Sequence, residues 1–346
     1  MNTTAPVRYG VLGAANIARQ FTKGMAGSKV ASVDAVASRD GRKAAAFAAE
    51  TSIPRHHGSY EALLADPAIE AIYIPLPNDL HAEWAIKAAE AGKHVLCEKP
   101  LAVTVGEARA MFAAARANGV HLAEAYPYMS QPQTLRTRAL LAEGVLGPVQ
   151  TITAAFGFGL VHPDGTPKGD PANIRLDPAR AGGGLLDAGT YSMSMARIAA
   201  GERPTRVLAT GRNTKTGVDQ TIVAILEFPS GAIAMVSSSM SSSFHRYAII
   251  VGAEGVLETS YSNHAPDSGK LALRLKRGVP GTVPFETIEI EGDDGFRAEG
   301  ESFARMIRLG AAEWNGASEA ESIDTVLALQ AIAASAKTGT WVDLGS

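Results

Sequence analysis

A lysine does useful acid–base or hydrogen-bonding chemistry only where its ammonium is held in place. The run His94–Val103, HVLCEKPLAV, offers such a place. His94 to Cys97 reads as a short buried strand, because β-favouring apolar residues are flanked on both sides by helical patterns. Glu98 and Lys99 then fall at the strand's C-terminal end. Pro100 fixes its own φ and pushes Lys99 toward extended backbone. In an open parallel sheet that end faces the ligand crevice, so the amine can meet a substrate hydroxyl in a defined geometry. A solvated Glu–Lys pair in a surface turn fits the same residues. A second reactive pair stands in GGGLLDAGTYSMSMAR, Gly182 to Arg197. Asp187 and Tyr191 are four apart and share one face of a helix. Tyr191 can give or take a proton, and a neighbouring ammonium, with Lys99 the candidate, favours its phenolate. The glycines before the helix permit close approach by a ligand or another backbone. A buried tyrosine partnered by Asp187 is the structural alternative. Just upstream, Asn173 and Arg175 are candidate contacts for substrate hydroxyls or a cofactor amide. Cys97 has no neighbouring base and reads as packing. The eight histidines show no ligand-pair spacing, so no metal is expected.

These side chains need a scaffold, and the first third of the chain supplies one. Val7 to Gly13 is a β-rich run, and Gly13 to Met25 reads as a turn opening a helix. Strand, glycine turn and helix are the setting of a dinucleotide fingerprint. Gly13 fills its first position, Ala15 its second and Ala18 its third. The N–H groups around Asn16 and Ile17 can face an anion at the helix N-terminus, although a plain βα turn fits the same residues. The second strand, Val33 to Ala37, ends in Ser38-Arg39-Asp40. An NAD site usually places an acidic residue there, and Asp34 lies too early for that role. Arg39 can instead pair with a 2′-phosphate and Ser38 can donate to it, which favours NADP and keeps NAD possible. The alternative is a solvated Arg39 beside Asp40 as a helix cap. The alternation continues through helices over 41–50 and 59–65, a strand over 71–74, helices over 79–91 and 104–118, and a strand over 120–124. That pattern predicts a doubly wound parallel sheet, an α/β Rossmann domain. Its crevice collects the loops after Gly13, Ala37, Ile74 and Cys97, placing Glu98 and Lys99 beside the nucleotide. Pro75, Asn78 and His81 border the same crevice, and Asn78 or His81 can equally cap the following helix.

After Glu124 the character changes, so the expected domains are 1–125 for the nucleotide and 126–346 for substrate and oligomerisation. Tyr126 opens an aromatic, proline-bearing run and is a candidate substrate contact. A helix over 132–143 follows, then strands over 149–156, 206–210, 221–228, 232–238 and 247–251. Without helix-length crossovers between the later strands, a large, mostly antiparallel open sheet is expected. Helices over 303–310 and 323–336 close the chain. The serine-rich stretch Ser237–Ser243 has an apolar lead-in and reads as strand rather than linker. The whole has 346 residues, 46% apolar and 19% charged, which fits two soluble domains. A net charge of −3 with no basic block argues against nucleic acid and anionic membrane as partners. No apolar run is long enough to span a bilayer, and the N-terminus lacks the pattern of a signal peptide. One cysteine excludes an internal disulfide. Together these features predict a cytoplasmic protein.

Glu98-Lys99-Pro100, preceded by GVLGAANIA (Gly10 to Ala18) and followed by GGGLLDAGTY (Gly182 to Tyr191), resembles the GFO/IDH/MocA oxidoreductase family over essentially the whole chain. The resemblance implies a Rossmann domain followed by an α/β domain on an open, largely antiparallel sheet. It implies hydride transfer between NAD(P) and a hydroxyl or carbonyl carbon of a sugar, cyclitol or related polyol. It assigns catalytic roles to Lys99, Asp187 and Tyr191. Tyr191 takes the hydroxyl proton, Lys99 hydrogen-bonds the same oxygen, and Asp187 orients substrate or lysine. Many members carry histidine where Tyr191 stands, and tyrosine there is similar to the NADP-using branch of sugar and dihydrodiol dehydrogenases. Met129 and Gln131 replace an arginine and a histidine frequent in that branch, which implies an altered pocket wall. The resemblance also implies a homodimer or higher homo-oligomer through the C-terminal sheet, consistent with an outer sheet face carrying Ile, Val and Met that needs a cover. Two other functions stay open: reduction of a keto-sugar or dicarbonyl, and a non-catalytic NADP- or sugar-sensing regulator of the same fold. The paired Lys99 and Tyr191 favour the enzyme.

Overall fold

The structure is a computed structural model that describes residues 5–266 and 268–345. It divides into two compact units. The first holds the chain up to Gln131 together with Asp293–Ser322. Its strands are β1 (Val7–Leu12), β2 (Ala31–Ala37), β3 (Arg55–His57), β4 (Ala71–Ile74), β5 (His94–Glu98) and β6 (Leu122–Ala125). Among the described residues they form one sheet in the order β3-β2-β1-β4-β5-β6, with every pairing parallel. The order reverses between β1 and β4, the switch point where ligands enter such sheets. β4 is buried along its whole length, as a strand covered on both faces must be, which is why it reads as a plain apolar run.

The connecting helices start and stop for local reasons. They are α1 (Asn16–Met25), α2 (Gly41–Thr51), α3 (Tyr60–Leu64), α4 (His81–Glu90) and α5 (Val105–Ala117). Asp40 caps α2 by accepting from the Arg42 and Lys43 N–H groups. Thr104 and Glu107 form a capping box that starts α5. The helix expected from Asp79 opens instead with a 3₁₀ turn, Asn78–Leu80, before α4. A late helix belongs to this unit as well. Its range, Gly295–Leu309, begins eight residues before the apolar pattern predicts, because its first turns carry two glycines and hide the periodicity. The Tyr9 hydroxyl donates to Gly300 O at 2.8 Å, and Phe296 and Phe303 join Tyr9, Phe21 and Tyr73 in the core.

The second unit holds Pro132–Gly292 and the chain from Ile323 on. Its elements begin with α6 (Pro132–Ala142), β7 (Val149–Gly159) and α7 (Thr190–Ala200). Then come β8 (Arg206–Asn213), β9 (Asp219–Glu227), β10 (Ile233–Ser239), β11 (Ser241–Gly252), β12 (Gly255–Thr259), β13 (Lys270–Arg277) and β14 (Glu286–Glu291). The Gly295–Leu309 helix is α8, and α9 (Glu319–Thr338) and β15 (Val342–Asp343) close the chain. Among the described residues the sheet order is β14-β13-β12-β11-β7-β10-β9-β8-β15. Among the described residues only β7 and β10 pair in parallel, so the sheet is mostly antiparallel as expected. The serine-rich stretch is strand on both sides of Met240. α7 is buried along nearly its whole length against β7, β10 and β11.

Candidate active site

In the first unit the site is built at the C-terminal ends of β1, β2, β4 and β5. Gly13 turns the chain after β1 with φ +119°, a left-handed conformation that side chains resist. Its N–H donates to Ala37 O at 2.9 Å, drawing the exits of β1 and β2 together. A Cβ at Gly13 would lie 3.0 Å from Leu76. Ala15 precedes α1 in extended conformation, and no side chain caps the helix. The N–H groups of Asn16 and Ile17 are therefore first-turn donors of the kind that hold a pyrophosphate, and Ala15 adds only a methyl beside them. Ser38 is buried at the end of β2, and its Oγ accepts from Asp40 N at 3.3 Å. Arg39 is exposed, and its charge lies near enough to the Tyr60 phenol to act against the rise that burial causes there. The Tyr60 oxygen is 3.9 Å from where a Gly13 Cβ would stand, so the Arg39 side chain lies beside the glycine turn. These residues fit a dinucleotide with a 2′-phosphate.

Lys99 sits in a loop held from three directions. The Lys99–Pro100 peptide is cis. The Lys99 N–H donates to Glu98 Oε2 at 3.2 Å, and Glu98 Oε1 accepts from the Tyr73 hydroxyl at 2.6 Å. Next, the Leu101 N–H donates to Glu124 Oε1 at 2.9 Å. The third brace is His81, fully buried, with Nδ1 2.8 Å from Pro100 O and Nε2 2.8 Å from Leu76 O. Burial lowers the His81 pKa, the two carbonyls oppose that, and the Lys99 charge adds to it. His81 thus ties the exit of β4, where Pro75 is also buried, to the loop that carries Lys99. Asn78 opens the 3₁₀ turn just before it. Glu124 is pushed up to about 7 by burial, with the Ser322 and Tyr126 hydroxyls and the Leu101 N–H working the other way. Tyr126 is itself fully buried, edge-on to Tyr128. Cys97 is buried, and burial together with Glu98 and Glu124 pushes its thiol up, so it is no nucleophile. Gln131 donates to Asp293 O and accepts from Asp293 N, which fixes the chain leading into α8; Met129 beside it is buried.

In the second unit the glycine run leads into a π-helical turn, Leu185–Gly189, that continues as α7. Such turns recur at functional sites. The close approaches here are internal. A Cβ at Gly182 would lie 2.6 Å from Arg175 O, and one at Gly183 (φ +120°) would overlap Asp219 Oδ1. Asp219 Oδ2 accepts from Leu185 N at 2.6 Å and so pins the start of the helical segment. Burial pushes Asp219 up to about 6, backbone N–H groups including that of Leu185 oppose it, and Asp187 adds to the rise. Asp187 accepts from Arg175 Nε at 2.6 Å, and Asn173 accepts from Arg175 N at 3.0 Å, so these three candidates stand together. Tyr191 is 5% exposed. Its oxygen accepts from Asn263 Nδ2 at 3.3 Å, its ring meets Phe156 edge-on, and the Arg246 guanidinium lies 4.2 Å from its centre. Asp219, Arg246, Asn263 and the brace from Glu124 escape the sequence reading. A glutamate inside the buried strand before Tyr126 is a visible signal of a special site. The other three are polar residues on or after strands, and nothing in their spacing marks them.

Among the described residues no group of three or more His, Cys, Asp or Glu side chains converges as a metal site would, and no helix is long and apolar enough to cross a membrane. The family model for the oxidoreductase family with an NAD-binding Rossmann fold matches residues 7–126, and that for the GFO/IDH/MocA C-terminal domain matches residues 134–258. The chain is 39% identical over 337 residues to D-xylose 1-dehydrogenase (NADP(+)) 2 of Haloferax volcanii, covering 97% of this chain and 99% of that protein. It is 36% identical over 255 residues to the mouse trans-1,2-dihydrobenzene-1,2-diol dehydrogenase, covering 73% and 74%. A crystal structure of aldose-aldose oxidoreductase from Caulobacter crescentus, complexed with glycerol, superposes with a TM-score of 0.85 at 27% identity, covering 98% of this chain and 99% of that one. The strand-end lysine loop, the glycine turn before α1 and these matches over both units agree, and the chain belongs to the GFO/IDH/MocA oxidoreductase family.

Proposed function

We propose that this protein oxidises a hydroxyl-bearing carbon of a sugar or related polyol with NADP. The observation that carries the reading is the loop Glu98–Leu101, whose backbone is fastened by His81, Glu98 and Glu124 so that Lys99 leaves the end of β5 on a fixed base. Bound NADP supplies the carbon that accepts the substrate's hydride. The chain's own residues do the rest. The N–H groups at the start of α1 hold the pyrophosphate, and Ser38 and Arg39 hold the 2′-phosphate. Tyr191 takes the hydroxyl proton as the carbonyl forms, and Lys99 hydrogen-bonds the same oxygen. Asp187, paired to Arg175, contacts the substrate's other hydroxyls together with Asn173. The relatives, a D-xylose dehydrogenase and a dihydrodiol dehydrogenase, support this substrate class. NADP reduction across a panel of aldoses, polyols and cyclic diols tests it. Turnover on at least one is expected, and tight nucleotide binding without turnover on any, in either direction, would instead favour a sensor.

The same reading includes a homodimer through the open sheet. Val223 and Ile225 on β9 and Ile233 and Met235 on β10 are exposed, while the residues alternating with them are buried. Met235 is 52% exposed and in register with Ile225, which makes one apolar face of the pair. A second copy of this chain covers it. Met235→Asp is expected to yield a monomer by light scattering, and a wild type that is already monomeric would refute this part. A lone buried Cys97 fits a reducing compartment, the cytoplasm.

A further inference from the structure

Tyr191 has a cation of its own within the second unit. Arg246 lies on β11 directly opposite Phe156 of β7, so both side chains project to the face that α7 covers. Its guanidinium carbon is 4.2 Å from the centre of the Tyr191 ring, 4.8 Å from that of Tyr261 and 5.0 Å from that of Phe156. Tyr261 is fully buried and held at φ +34°, a backbone region that an aromatic residue enters only against strain. Its hydroxyl donates to Ala155 O at 2.8 Å, which fixes the ring under the guanidinium. Burial pushes Tyr261 up to about 12 even though Arg246 acts against the shift, so that phenol stays neutral and serves as packing. Asn263 donates to the Tyr191 oxygen from the same segment.

We propose that Arg246 is a positioning residue that readies Tyr191 to accept the substrate's proton, acting through the face of the phenol ring while Asn263 aims the oxygen. The inference rests on Tyr191 being the proton acceptor of the proposed reaction. In that step the substrate O–H proton passes to the phenolate oxygen, the C–H electron pair leaves as hydride to the oxidised nicotinamide, and the C=O bond forms. A phenolate spreads its charge into the ring, so a cation on the ring face stabilises it. Arginine keeps its charge at every working pH, which a lysine near the reaction need not do. The other charged or titratable side chains on elements packed around Tyr191 are few. Asp187 lies in the preceding turn and is paired with Arg175, and Arg197 lies further along α7. Arg136 and Arg138 are on α6, the former paired with Glu143. His245 and Tyr247 alternate with Arg246 to the opposite face of β11, and Tyr261 and His264 flank the Asn263 segment.

The test is the pH dependence of kcat/KM for oxidation in wild type, Arg246→Met, Arg246→Lys and Tyr191→Phe. In Arg246→Met the rise of activity with pH is expected to move up by about one unit or more, with Arg246→Lys between it and wild type. A folded Arg246→Met enzyme whose rise stays at the wild-type pH overturns the proposal, because a merely structural role lowers the rate without moving the rise. If Arg246→Met does not fold, the phenolate absorbance of wild type minus that of Tyr191→Phe decides. A phenol that ionises within the activity rise in wild type and at higher pH in Arg246→Lys upholds the proposal, and one that ionises at the same pH in both, or is still neutral beyond pH about 10, overturns it. If Tyr191→Phe keeps the wild-type rate and rise, the reading of the reaction fails, and this inference falls with it.

Discussion

In the proposed reaction, Arg39 is the side chain expected to divide two cofactors. It leaves the end of β2 exposed, and its charge acts on Tyr60, whose hydroxyl stands beside the Gly13 turn. A guanidinium there meets a 2′-phosphate with charge-assisted hydrogen bonds, and NADH offers it none. Arg39→Ala is expected to weaken NADPH binding by about 10- to 100-fold and to leave NADH binding within about twofold, read by the fluorescence of the bound cofactor. An unchanged preference would make Arg39 only a partner for Tyr60. Lys99 differs in kind, because its value lies in the backbone that carries it. His81 is legible as a crevice residue but not as a brace, since a sequence does not show that both ring nitrogens meet backbone carbonyls.

At the scale of elements, the glycine run before α7 is the clearest link from sequence to site. Gly183 lets the Asp219 carboxylate reach the Leu185 N–H, and that contact fixes where the segment bearing Asp187 and Tyr191 begins. Gly183→Ala brings both a strained φ and an overlap, and is expected to destabilise the protein by about 2 kcal/mol or more in chemical denaturation. The same change in an Asp219→Ala background should cost less, because the overlap is gone; equal costs would show that strain alone is at work. The glycines announce a close approach in the sequence, but not that Asp219, more than 30 residues further on, makes it. Periodicity assigns a residue to a face and leaves its partner across the sheet unnamed. The Rossmann elements were legible because strand, turn and helix repeat locally, with caps at Asp40 and Thr104. The partners of Tyr191 were not, because Arg246 and Asn263 arrive through antiparallel pairing from strands far along the chain. For the same reason α8 was legible as a helix but not as part of the first unit.

At the scale of the whole molecule, a buried carboxyl and a partly buried histidine give the stability opposite pH dependences. Glu124 stands at about 7 folded against about 4.3 unfolded, so the folded state holds the extra proton between those values and stability falls as pH rises through them. Glu124→Gln removes that loss, and is expected to gain up to a few kcal/mol on wild type between pH about 4.5 and about 7.5. His94 stands at about 4 folded, lowered by burial with the His121 charge adding to it, against about 6.5 unfolded. There the unfolded state holds the extra proton, so stability is complete above about 6.5 and declines toward 4. His94→Gln should flatten the acid side of the stability curve, and parallel curves for wild type and variant would contradict that assignment. The central claim is that Lys99 and Tyr191 carry out chemistry on a substrate held with NADP. Its most direct measurement is kcat for Lys99→Ala and Tyr191→Phe on the best substrate of the panel, with NADPH affinity measured on the same samples. A loss of at least about 100-fold in kcat for each variant, with NADPH affinity within a few-fold of wild type, is predicted. Tyr191→Phe turning over at the wild-type rate would contradict it.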